Sequence, residues 1–182
     1  MIRVLLLLSL LVLLSACAST PCVRWAGSAR WCAAPLPATP PFARSEDIVS
    51  ADARGEKLMV LATTEWSATQ FTQVVLTPFG QRLYRLQYDG QQLEFDAGLL
   101  PVPVKPEQSL LDIQLMLWPL SLLQAQLPSG WSLQEDPGTG ARRLRAGDEL
   151  LAEVNRLSAD EVELIQHRLG YTVRVQTLEQ TR

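Results

Sequence analysis

Apolar or small residues fill the run Val4–Leu14, whereas from Lys57 onward apolar residues return at about every second position. A period of two puts alternate side chains on opposite faces of a strand, one buried and one wet. KLMVLATTEW (57–66) and QFTQVVLTP (70–78) carry this pattern on β-branched and aromatic residues, with Ser67-Ala68-Thr69 turning the chain between them. Phe79-Gly80 leads into QRLYRLQYDG, where Asp89-Gly90 predicts a two-residue hairpin turn. The next strand, QQLEFDA, sets Gln91, Leu93, Phe95 and Ala97 against Gln92, Glu94 and Asp96.

The period then changes. SLLDIQLMLWPLSLLQAQL (109–127) lacks glycine and is helical in composition, and Ser109 or Pro106-Glu107 can start it. Pro119 is expected to kink it or restart it as a second short helix. Its apolar positions nearly encircle the axis, which predicts a buried helix. Asp112, the glutamines and Pro119 argue against a membrane span. Strand signals return in WSLQED, ARRLRA, LLAEVNRL, VELIQHR and YTVRVQTL, the first two separated by the turn Pro137-Gly138-Thr139-Gly140. The order predicts a mainly β (α+β) domain over 57–182, with antiparallel strands on either side of one kinked apolar helix.

Ahead of that domain stand a signal segment, 1–16, and an N-terminal segment, 17–56, with a cysteine loop and the stiff connector PLPATPP. Val4–Leu14 is too short for a permanent span, which needs about 20 apolar residues, but suits the core of a secretory signal. Leu14-Ser15-Ala16-Cys17 follows and resembles a bacterial lipobox. That resemblance implies cleavage before Cys17 and its lipidation, and several acyl chains anchor a protein far more firmly than one. Ala18 after the cysteine, where aspartate is absent, implies export to the outer membrane by analogy with enterobacterial lipoproteins.

Loss of Arg3 leaves 15 basic against 19 acidic residues, and there is no basic block. Nucleic acid is therefore not an expected partner, and membrane attachment rests on the acyl chains. Cys22 and Cys32 remain as an even pair in an oxidising compartment. They can form a disulfide, stay as free thiols or share a metal, and the metal reading lacks ligands because His167 is the only histidine.

LTPFGQRLYRLQYDG, LLDIQLMLWPL and LGYTVRVQTL together resemble a family of bacterial outer-membrane lipoproteins whose members often accompany aryl polyene biosynthesis genes. That family is in turn similar to LolB, the outer-membrane receptor for exported lipoproteins. The resemblance spans most of residues 57–178, and Asp112-Ile113-Gln114-Leu115 with Trp118-Pro119 is its most specific stretch. It implies a LolA/LolB-like fold, a curved incomplete antiparallel β-barrel whose helix covers the concave face. By position, Leu99–Val104 is the candidate for an exposed apolar loop.

On such a half-barrel, Trp66, Phe71, Phe79, Tyr84, Phe95, Leu115, Trp118 and Trp131 are expected to line an apolar pocket, suited to molecules bound by area and shape. The expected function is a lipid-anchored, non-enzymatic carrier or receptor at the periplasmic face of the outer membrane. Its cargo would be lipoprotein acyl chains or a polyene-lipid, with no cofactor and no metal. The alternative is a structural lipoprotein that holds an envelope protein partner without a ligand pocket. No nucleophile–base constellation, G-x-S-x-G elbow, H-E-x-x-H or Walker loop supports an enzyme. His167 reads as a surface strand residue, Glu161 and Glu163 as a solvated strand face, and Asp112 as a residue that caps or orients a cavity contact, the partner of Arg82 or Arg85, or a solvent-facing residue.

Overall fold

In-out alternation begins at Arg44 and continues, with one helical interruption, to Thr181. The computed structural model describes residues 20–25, 29–53, 55–99 and 105–181. A first run of strands comprises β3 (Arg44–Ala53), β4 (Glu56–Trp66), β5 (Phe71–Leu76), β6 (Arg82–Tyr88) and β7 (Leu93–Ala97); a small hairpin of β1 (Cys22–Arg24) and β2 (Arg30–Cys32) precedes it. Helices α1 (Pro106–Leu117) and α2 (Leu120–Gln124) follow. A second run comprises β8 (Trp131–Glu135), β9 (Arg142–Ala146), β10 (Glu149–Arg156), β11 (Glu161–Gln166) and β12 (Tyr171–Thr181).

The two runs form one antiparallel sheet of ten strands, ordered β7-β6-β5-β4-β3-β12-β11-β10-β9-β8. Its centre is the long pairing of β3 with β12, which zips the start of the domain to its end. β7 and β8 stand at opposite edges, so the sheet is not closed. Even so, β7 packs on α1 and β8 on α2, and residues of both edges join one hydrophobic core. A sheet whose two edges meet the same helical layer must bend around it.

Two expectations change here, and of the two outcomes expected at Pro119 the restart as a second short helix is the one observed. The sheet domain starts at Arg44, within the segment 17–56 expected to be an N-terminal extension, because β3 pairs with both β4 and β12. The kinked helix 109–127 is two short helices: Pro106 starts α1, a favoured first-turn position, and Pro119 stops it. Among the described residues, no helix is long and apolar enough to cross a membrane. The Asp89-Gly90 turn is a four-residue loop, since Tyr88 pairs with Leu93; Asp89 Oδ1 closes it by accepting from the backbone N–H groups of Gln91 (2.8 Å) and Gln92 (2.7 Å).

Pro119 leaves the last carbonyls of α1 without helical partners, and such groups need donors from elsewhere. Two arginines supply them. Arg142 Nη1 donates to the carbonyls of Leu115 (2.8 Å) and Trp118 (2.9 Å), and Arg156 Nη2 to that of Met116 (3.0 Å). Both put positive charge where the helix dipole is negative. Gln114 ties the other side of α1 to the chain ahead of the sheet: its amide donates to the Ala34 carbonyl (2.9 Å) and accepts from the Ala34 N–H (2.8 Å). Tyr88 Oη donates to that same carbonyl (3.0 Å), so residues 33–36 are strapped across the helix.

Cys22 and Cys32 face each other across β1–β2 and are joined by a disulfide. The bond closes a short loop that seats Trp25 and Trp31 in the core. Replacing both cysteines by serine should lower folding stability by about 3 kcal/mol from loop-closure entropy. Urea unfolding of the double variant measures that loss, and an unchanged midpoint would show that the core alone holds the loop.

Candidate functional site

The expected aromatic pocket is filled. Trp66 and Trp118 stack at 4.2 Å between centroids, and Phe71 meets each of them edge-on at 5.3 Å. With Leu115 they are buried in the main core, and Trp118 Nε1 donates to the Pro35 carbonyl (2.9 Å). The strap 33–36 packs over this aromatic group and fills the space beside it. Tyr84 and Phe95 pack together at 5.4 Å near the β7 edge, and Trp131 is half-buried on the opposite edge strand. Phe79 is 92% exposed at the turn between β5 and β6 and lines nothing. The eight residues therefore divide between core, two edges and solvent. Cys17 lies outside the described residues, as does the candidate loop 99–104 beyond its exposed Leu99.

Open space lies elsewhere under the helix. A cleft of about 250 Å³ runs between α1 and the centre of the sheet. Phe42, Val49, Ile113, Met116, Val162 and Val175 give it apolar walls. Its floor is polar, made by Ser45 and Asp47 of β3 and Thr64 of β4. Ser45 Oγ (2.8 Å) and Thr177 Oγ1 (2.9 Å) both donate to Asp47 Oδ1. Burial raises the Asp47 pKa, and these two hydrogen bonds oppose the rise. Gln73 Nε2 donates to Thr64 Oγ1 (3.3 Å). None of the eight expected pocket residues lines this cleft. Its floor escaped the sequence reading because a polar residue at an alternate strand position normally marks the wet face.

A polar cluster fixes the middle of α1. Asp112 is buried beneath the helix, with Gln108 Nε2 donating to its Oδ1 (2.9 Å), Gln166 Nε2 to the same oxygen and Tyr171 Oη to Oδ2. Burial pushes its pKa up to about 7 against those three hydrogen bonds. Burial first, and then the Asp112 charge, raises the Tyr84 hydroxyl to about 12. The expected arginine partners are absent: Arg82 pairs with Asp96 at 2.8 Å, and Arg85 points outward, because odd positions of β6 at this level face solvent. His167 sits in the turn after β11, its Nε2 2.9 Å from Glu153 Oε2. Glu163 faces outward and pairs with Arg174 at 2.8 Å.

A larger, open groove of about 920 Å³ crosses the outer face of β3, β4, β11 and β12. Its charges are largely spent on cross-strand pairs such as Arg174–Glu163, whereas the cleft under α1 joins apolar walls to a buried polar floor.

A search of curated protein sequences returned no match. The crystal structure of a DUF1329 family protein from Desulfovibrio piger ATCC 29098 resembles the chain with a TM-score of 0.49 and 9% identity, over 79% of this chain and 86% of that one. The sequence match that places the chain covers both helices and all but the outermost residues of the ten-stranded sheet, from the cleft residue Ser45 to Glu179 in β12. Over these residues, 45–179, it matches the family described as "Protein of unknown function (DUF3261)", and the chain belongs to that family.

Proposed function

We propose that the protein is a lipid-anchored, non-enzymatic carrier or receptor that takes a hydrophobic cargo into the cleft between α1 and the sheet. Cys17 would hold it by acyl chains at the periplasmic face of the outer membrane, and the open sheet would serve as a LolA/LolB-like half-barrel. Lipoprotein acyl chains or a polyene-lipid are the cargo classes that the family resemblance implies. The observation that carries this reading is the apolar-walled cleft under a helix bounded by Pro106 and Pro119. At about 250 Å³ the cleft is smaller than the roughly 300–1,000 Å³ of typical ligand sites, so a long chain requires α1 to lift from the sheet. Transfer onward would follow the greater burial that a bilayer offers, without cofactor or nucleotide.

The test is native mass spectrometry of the Cys17→Ala protein purified from its own periplasm. A bound apolar mass is expected, and Val175→Phe, which fills the cleft, should abolish it while leaving the circular dichroism spectrum unchanged. A protein that is empty and refuses an added long-chain fatty acid would overturn the carrier. The second reading would then stand, a structural lipoprotein that holds an envelope partner. The solid packing of Trp66, Phe71 and Trp118 favours it.

A further inference from the structure

An acyl tail alone has no use for the floor of this cleft. Asp47 is 8% exposed, and both of its protein hydrogen bonds end on Oδ1, so Oδ2 receives neither. Thr64, its diagonal neighbour across β3–β4, accepts from Gln73 and keeps its own hydroxyl hydrogen to donate. The floor thus presents an acceptor and a donor side by side, and a hydroxyl group is the head that serves as both. Seating bare methylenes there would desolvate both groups without replacing their hydrogen bonds, which is costly.

Charge and size narrow the head further. Arg156, Asp47, Asp160 and Glu161 all line the cleft, so an anionic head meets three carboxylates, while a cationic head meets the Arg156 guanidinium and must itself be desolvated at the floor. An uncharged head avoids both penalties. A cavity of about 150 Å³ holds a benzene ring, so about 250 Å³ accommodates one substituted ring or its aliphatic equivalent. The exposed residues Pro41, Ala159, Asp160 and Gln180 form the mouth, away from the floor.

We propose that the cleft binds its ligand head first, with an uncharged, hydroxyl-bearing group about one ring in size on Asp47 and Thr64 and an apolar tail leaving through the mouth. This rests on the carrier reading for its site and specifies what that site selects. It reverses the tail-first burial of a simple acyl binder, and the head can seat while α1 stays in place.

Calorimetric titration of the Cys17→Ala chain with 4-butylphenol, butylbenzene and hexadecanoate tests it. The phenol should bind at least about tenfold more tightly than butylbenzene, because the hydrocarbon leaves buried polar groups unpaired. Asp47→Ala should narrow that ratio to about threefold or less, and Thr64→Val supplies the same readout where the aspartate variant does not fold. Equal affinity for phenol and hydrocarbon overturns head-first binding. Hexadecanoate bound while neither ring compound binds also overturns it and leaves the carrier standing. Failure of all three probes to bind removes both readings.

Discussion

Arg142→Met is expected to lower folding stability by about 3–5 kcal/mol, the usual cost of removing one partner from a buried charged network. The side chain is 7% exposed and does two things at once. Its Nε donates to Glu135 Oε2 (2.7 Å), and its Nη1 serves the carbonyls of Leu115 and Trp118. Glu135 is one-third exposed and can turn to water, so most of the cost falls on the helix end. Methionine keeps the volume but offers no donor, which leaves the last turn of α1 buried and unsatisfied. Glu135→Gln, which removes the charge and spares the carbonyl bonds, should cost clearly less. Urea unfolding of the three proteins decides it. Equal losses in the two variants would locate the energy in the ion pair and not in the capping of α1.

That arginine also shows what a sequence hides. Strands β4 to β7 and β8 to β12 announce themselves, because their inward positions are mostly apolar and their turns, apart from Ser67-Ala68-Thr69, carry glycine or aspartate. β3 does not. Its inward side chains include Ser45 and Asp47, so the alternation that marks a half-buried strand reads as a polar stretch after a proline-rich connector. The residues that disguised the strand are the floor of the cleft.

The helix was legible as buried, but its encircling apolar pattern has a cause that spacing cannot reveal. One side of α1 meets the sheet, and the other meets the strap at residues 33–36 through Gln114 and Trp118. For the same reason the aromatic residues suggested a hollow. Sequence ranks Trp66, Phe71 and Trp118 as large and apolar, and only the strap's position determines that their space is filled. The specific stretch Asp112–Leu115 with Trp118-Pro119 now has physical content: it carries the ties to Tyr171, Ala34 and Pro35 and the helix stop.

Folding stability is expected to fall as pH rises from 5 to 7, by about 2 kcal/mol, with a slope of about 1.4 kcal/mol per pH unit that halves by pH 7, and Asp112 is the reason. Its folded pKa is about 7, well above the unfolded carboxylate value near 3.8. Between those values the folded chain holds a proton that the unfolded chain has released, so raising the pH favours unfolding. Well above 7 both states are ionised and the dependence ends. The groups facing Asp112 are the hydroxyl of Tyr171 and the amides of Gln108 and Gln166, and none brings a positive charge to offset burial. Asp47, raised by burial as well, acts in the same direction. Asp89, Asp136 and Glu153, which hydrogen bonds hold below their usual values, lose their contributions only on stronger acidification. Asp112→Asn removes the titration while keeping the shape, so its urea midpoint should change little across the window in which the wild type declines. A wild-type midpoint that stays level or rises from pH 5 to 7 would mean that the Asp112 charge is met by water, and α1 would then not be seated on Tyr171 and Gln166.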